Sequence, residues 1–207
     1  KKQKTKHSEG FGVDKNILNL WGKILVACIP AAIVGILFDD LLDKYLYNSW
    51  VVATMLIVVG IAFILIENRK KGDKSRVNEI SDLTYKDALI IGLFQLIAAI
   101  LPGTSRSGAT IIGALLIGIS RTVAAEYTFY LAIPVMFGAS LLKILKFGLS
   151  FTGMELAVLL IGMIVAFLVS IFVIKFLMNY IKKHDFKVFG WYRIVLGIIV
   201  LILLGVM

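Results

Sequence analysis

One cysteine, two histidines, three prolines and only 17% charged residues leave this 207-residue chain short of most soluble chemistry. A lone Cys28 excludes an intramolecular disulfide framework and a thiolate metal cluster. His7 and His184 lie in basic polar segments and read as solvated side chains rather than catalytic ones. Acidic residues are scarce too, 13 against 22 basic ones. Apolar residues take their place, at 59% of the chain, with a mean hydropathy of +0.93. Soluble domains are about 45–50% apolar and about 25% charged. The balance excludes disorder, a nucleic-acid module and an ordinary water-soluble enzyme. A net charge of +9 on so apolar a chain points to anionic lipid at a membrane surface, not to nucleic acid.

Long apolar runs cover 20–38, 50–66, 127–145, 155–174 and 191–207. At about 17–20 residues, each makes about 25–30 Å of helix, close to the thickness of the hydrocarbon core. Five crossings are predicted. The region 85–119 reads differently. An apolar helix over Tyr85–Leu101 breaks at Pro102-Gly103-Thr104-Ser105-Arg106-Ser107-Gly108, and the second apolar piece is only Ala109–Ile119. That piece is about 16 Å long, too short to span. Two helices meeting at a polar elbow predict a re-entrant hairpin, whose irregular backbone must be buried in protein or line a watery cavity.

Basic residues orient the chain. With residues 1–23 cytoplasmic, 18 of the 22 lysines and arginines fall on the cytoplasmic side; Lys44, Lys143 and Lys146 fall outside, and Arg106 lies in the elbow. A loop at 39–44, carrying Asp39, Asp40 and Asp43, then faces out, while 67–83 and 175–190 face in. The stretch 175–190 reads equally as an interfacial helix or as a basic loop. Glu67 looks like a boundary charge, Glu126 and Glu155 like end charges of spans, and Ser120 like a helix N-cap before an inside-facing Arg121. Trp21, Trp50 and Trp191 fall near span ends, as an aromatic belt requires. Gly113, Gly118 and Gly138 permit close helix contact, so a homodimer is compatible with the pattern.

The elbow is where the chemistry concentrates. Pro102 ends the first helix, and Gly103 and Gly108 let backbone N–H groups approach a ligand. Ser105, Ser107 and Thr110 supply hydroxyls, and Arg106 supplies a planar fork that fits phosphate oxygens. Ala109 is expected to open a helix whose free amides and positive dipole end favour an anion. An arginine at the bilayer centre costs about 2.5–3.5 kcal/mol, so it needs an anionic partner or a watery cleft. The segment lacks the lysine of a nucleotide-binding phosphate loop and follows no strand, which excludes that reading.

The run Pro102-Gly103-Thr104-Ser105-Arg106-Ser107-Gly108-Ala109-Thr110 resembles the P-G-x-S-R-S-G-x-T motif of the undecaprenyl-diphosphate phosphatase family, the bacitracin-resistance type. The flanks match as well, from Gly92-Leu93-Phe94-Gln95 through Ile100-Leu101 on one side and from Ser120-Arg121 through Ala132-Ile133-Pro134 on the other. The resemblance implies an enzyme of the bacterial plasma (inner) membrane that removes the terminal phosphate of a polyprenyl diphosphate, recycling the carrier lipid of cell-wall synthesis. It implies catalytic roles for Arg106, Ser105 and Thr110, and substrate binding by Gly103, Thr104, Ser107, Gly108 and Gln95. It also implies a divalent cation, Mg or Ca, although no metal ligand is expected on this chain. The implied fold is an all-α, polytopic membrane protein of inverted repeats, each a re-entrant hairpin plus three transmembrane helices. Residues 1–83 would then be the remainder of a first repeat, with two spans, and 84–207 a second repeat with the hairpin 85–119.

The family's other motif, E-x-x-x-E-F-L-P-x-S-S-T-G-H, has no counterpart here; Gln95 and Ala99 stand where its two glutamates would align. One hairpin and one crossing, roughly 65–70 residues by the repeat pattern, are therefore expected to precede Lys1 in a longer protein. The implied site opens to the outer, periplasmic face. Partners are the lipid substrate and membrane lipids, with no nucleic acid. The competing function is a lipid-phosphate transporter or scramblase, because broken helices are common in transporters.

Overall fold

The computed structural model describes residues 15–70, 74–148 and 152–206. Among them the regular structure is helical: α1 (Lys15–Leu46), α2 (Ser49–Arg69), α3 (Tyr85–Ile100), α4 (Arg106–Leu116), α5 (Arg121–Phe147), α6 (Gly153–Ile181) and α7 (Lys187–Val206). A single 3-10 turn, Ile80–Asp82, precedes α3. Five of these helices, all but α3 and α4, are long and apolar enough to cross a membrane. The chain is a multi-pass helical membrane protein.

Side chains that satisfy orphan amides set the helix starts. Asn48 caps α2 by accepting from the Val51 amide at 2.9 Å. Thr84 and Asp87 form a reciprocal capping box on α3, as Thr152 and Glu155 do on α6, so Glu155 is more than an end charge. Ser120 caps α5 as expected.

Two boundary expectations fail. The loop predicted at 39–44 is helical, because α1 continues to Leu46. Between Gly35 and Leu46 there is no glycine or proline, and charge alone does not end a helix. The side chains of Asp39, Asp40 and Asp43, and all of His7, lie outside the described residues. The stretch 175–190 is neither an interfacial helix nor a basic loop. Its first seven residues extend α6 to Ile181, a short turn follows, and Lys187 already belongs to α7. His184 in that turn is exposed and stacks on Tyr180, in keeping with a solvated side chain.

A helical hairpin is observed at 85–119. Helices α3 and α4 pack against each other, and the chain entering the hairpin is stitched to the chain leaving it. Val77 bridges Ile119, the Arg76 amide donates to the Gly118 carbonyl at 2.7 Å, and the Ser120 amide donates to the Val77 carbonyl at 2.9 Å. Both ends of the hairpin therefore lie on one side. Arg76 also holds the α3 start through an ion pair with Asp87 at 2.5 Å.

Helix α2 runs antiparallel to α7, with Gly60 against Gly190 and Gly197 against Ala53. A Cβ on Gly60 would sit 2.7 Å from the Gly190 carbonyl oxygen, and one on Gly190 would sit 2.8 Å from that of Gly60. Only backbones without side chains approach so closely. Of the glycines marked in the sequence, Gly113 serves instead inside the hairpin, against the Phe94 ring.

Glu67 is not a boundary charge. Its side chain is 1% exposed and receives Arg121 on both carboxylate oxygens, with the Arg121 Nε at 2.9 and 3.0 Å. Glu67 Oε1 also accepts the Phe186 amide at 3.1 Å. One carboxylate thus ties the end of α2 to the start of α5 and to the α6–α7 turn. The apolar core follows the same ties. Ile24, Ile91 and Tyr127 join α1, α3 and α5; Phe63, Ile112, Leu115 and Phe186 join α2, α4 and the turn. Helix α6, by contrast, exposes almost all its apolar surface, as a lipid-facing helix does.

Candidate anion site at the hairpin elbow

The elbow is built by one extended residue, one left-handed glycine and one cap. Leu101 leaves the helix in extended conformation ahead of Pro102. Gly103 has φ +85° and lies against the backbone of Val52 on α2, where a Cβ would clash with the Val52 carbonyl. Ser105 then caps α4, its Oγ accepting the Gly108 amide at 3.2 Å. Helix α4 therefore opens at Arg106, three residues before the expected Ala109. The reason is local: a serine caps a helix well, and the glycine expected to precede the helix does so less well.

Starting at Arg106 directs the amides of Arg106 and Ser107 out of the helix end, where they have no intrahelical acceptor. Beside them lies a cavity of about 110 Å³, lined by the cap Ser105, by Ser107 and Gly108 of α4, by Thr128 of α5 and by Arg193 of α7. Its remaining wall is apolar, with Phe63, Ile111, Phe129, Leu177, Ile181 and Phe189 among the lining residues. No carboxylate lines it. Ser105 Oγ and Ser107 Oγ are 3.0 Å apart, and among the described residues neither has a histidine or carboxylate partner. Among the described residues no base stands beside these hydroxyls, and both are able to donate to an anion.

The other predicted residues do not all reach this cavity. Arg106 occupies the first position of α4, and its half-buried guanidinium lies within electrostatic reach of the Cys28 thiol on α1 rather than on the cavity wall. Thr110 is 1% exposed, and its hydroxyl is engaged with the Arg106 and Ser107 carbonyls and with Thr128 Oγ1, at 3.1, 3.1 and 3.0 Å. It holds the first turn of α4 and links it to α5. Gln95 and Thr104 are buried, and Gln95 Oε1, Gln95 Nε2 and Thr104 Oγ1 have no hydrogen-bond partner among the described residues. The remaining buried side-chain polar atom in that condition is Arg193 Nη1. Each such group costs about 1–3 kcal/mol of desolvation, so their concentration on the hairpin and its cavity marks a place built for a ligand.

Arg193 is the residue that sequence reasoning missed, having been counted among cytoplasmic charges near a span end. The sequence carried little signal for it, since Arg193 is the third residue of the predicted span 191–207, where an anchoring charge is ordinary. The divalent cation is a different matter. Among the described residues no three His, Cys, Asp or Glu side chains converge. The elbow offers donors to an anion, so these residues do not form a cation site.

Sequence comparisons agree with the elbow motif. A family model described as bacitracin resistance protein BacA matches residues 1–199. The chain is 64% identical over 193 residues to an undecaprenyl-diphosphatase of Desulfitobacterium hafniense, covering 93% of this chain and 69% of that protein. It is 64% identical to undecaprenyl-diphosphatase 1 of Clostridium acetobutylicum, covering 93% and 70%. An undecaprenyl-diphosphatase of Enterococcus faecalis is 61% identical over 194 residues, covering 94% and 70%. The chain thus spans about 70% of the length of these relatives.

Proposed function

Because the chain belongs to the bacitracin resistance protein BacA family, we propose that it hydrolyses undecaprenyl diphosphate to undecaprenyl phosphate and inorganic phosphate. The observation that carries this reading is the cavity at the start of α4, polar and donor-rich on one side and apolar on the other. A lipid diphosphate has that same division. The α4 amides and the hydroxyls of Ser105 and Ser107 hold phosphate oxygens, while Phe63, Ile111 and Phe129 exclude water. Phosphoryl transfer passes through a loose transition state with charge spread over oxygens, so positioned donors supply much of the catalysis. Arg106, fixed on the first turn of α4, neutralises that charge, and Thr110 keeps the turn rigid.

In this reading the elbow lies toward the outer face. Gly103 packs on Val52, within one helical turn of Ser49, the α2 end opposite the basic segment at Arg69 and Lys70. The α3 helix, about 24 Å long, carries the elbow away from that basic side. The antiparallel pairing of α2 with α7 about Gly60 and Gly190 supports an inverted-repeat arrangement. Gly138, with nothing within 4 Å, leaves α5 open to a second copy.

Phosphate release from undecaprenyl diphosphate in detergent tests the reading. Arg106→Ala is expected to lower kcat at least about 100-fold, the loss typical of one removed charge-stabilising donor. Lipid flipping in proteoliposomes without phosphate release would favour a transporter and overturn the hydrolase reading.

A further inference from the structure

Arg193 has no role in the elbow motif, yet it is the cationic side chain lining the elbow cavity. It lies on α7 between two close contacts, Gly190 against Gly60 and Gly197 against Ala53, which places it opposite the middle of α2. Part of its guanidinium is buried inside the protein, with Nη1 shut off from water. A buried guanidinium is unfavourable unless something compensates it. Elsewhere the buried carboxylates are paired: Glu67 with Arg121, and Asp87 with Arg76. For Arg193 the structure offers no such pairing among the described residues, and Nη1 is buried without a hydrogen-bond partner. The wall facing the cavity from the start of α4 carries Ser105, Ser107 and the helix amide end, none of which bears a negative charge. A guanidinium facing neutral hydroxyls and helix-end amides leaves the place between them suited to an anion.

We propose that Arg193 is a second substrate-contacting arginine, donating from α7 to the diphosphate oxygens that Ser105 and Ser107 hold from α4. The proposal rests on the reading of the elbow cavity as a diphosphate site and adds a residue to it. Arg106 and Arg193 then act from different helices: Arg106 from the start of α4, and Arg193 from the α7 wall of the cavity. Two guanidiniums match the charge of a diphosphate better than that of a monophosphate, so Arg193 also favours substrate over the monophosphate product. Its planar fork, which a lysine does not reproduce, suits oxygens of a phosphoryl group.

The test compares Arg193→Gln, Arg193→Met and Arg193→Lys with wild type. Phosphate release from undecaprenyl diphosphate and inhibition by inorganic pyrophosphate are measured, with thermal unfolding in the same detergent. The glutamine and methionine variants are expected to lose about 100-fold or more in kcat/KM and to bind pyrophosphate more weakly. Their Tm should be unchanged or raised, because an unpaired buried charge has been removed. The lysine variant should recover part of the activity. A kcat/KM within threefold of wild type in Arg193→Gln overturns the proposal while leaving the site reading intact. Loss of activity together with a fall in Tm in both neutral variants also overturns it, since a structural tie would then suffice. Failure of the site reading itself is separate: wild type would release no phosphate, or Arg106→Ala would keep full activity.

Discussion

Replacing Glu67 by alanine should loosen three joints at once. The carboxylate is 1% exposed and accepts from Arg121 Nε and Nη2 and from the Phe186 amide. Breaking a buried ion pair by removing one partner costs about 3–5 kcal/mol. Arg121 is 39% exposed, so its abandoned guanidinium regains water and lowers the figure. The Phe186 amide, buried and newly unpaired, adds part of it back. The net expectation is about 2–3 kcal/mol, or a Tm about 4–12 °C lower for a chain of this size. Thermal unfolding in detergent, followed by tryptophan fluorescence, reads the shift directly. A cycle with Arg121→Met should give a coupling of about 1–3 kcal/mol between the two positions. The site should feel the change, because Phe186 lines the elbow cavity. Glu67→Gln keeps an acceptor for the Phe186 amide and should fall between the two. A Glu67→Ala protein melting within 1 °C of wild type would refute the claim that this carboxylate fastens α2, α5 and the α6–α7 turn.

Other consequences follow from close contacts and from charge. Gly190→Ala should destabilise by about 1–3 kcal/mol, since the new Cβ meets a backbone oxygen that cannot swing aside. Gly162→Ala, with open space around it, should be neutral or slightly stabilising by the same unfolding assay. Burial pushes the Asp87 carboxyl up, but hydrogen bonds from the Thr84 amide and hydroxyl, and from Arg76, outweigh it and hold it below 3.8. A carboxyl lowered in the folded state stabilises above its unfolded value and loses that contribution as pH falls through the folded one. The Tm gap between wild type and Asp87→Asn should therefore be full at neutral pH and close as the pH drops below about 4. A gap independent of pH would exclude the charge as its source.

Much of the membrane organisation could be read without coordinates because hydropathy and length are local properties. The five spanning helices, the short second arm of the hairpin and the Ser120 cap depend on residues within a turn or two of one another. Errors arose where a local rule competed with a stronger local one. Asp39, Asp40 and Asp43 suggested a loop, but with no helix breaker near them α1 runs on to Leu46. Ala109 marked the resumption of apolar sequence, but Ser105 supplied the better cap and α4 began at Arg106. Glu67 and Arg121 looked like separate boundary charges because their 54-residue separation hides a contact that only packing makes.

By itself the sequence determined the membrane class, the hairpin and the donor-rich motif, since each is written in consecutive residues. It did not determine which donors share a cavity. That depended on where the cap starts α4, which brings Ser105 and Ser107 to one wall and leaves Arg106 off it. It depended equally on the glycine contacts between α2 and α7, which seat Arg193 across from them. Composition and order set the length and polarity of each helix; the rotation and approach of packed helices decided which of their side chains could meet one ligand.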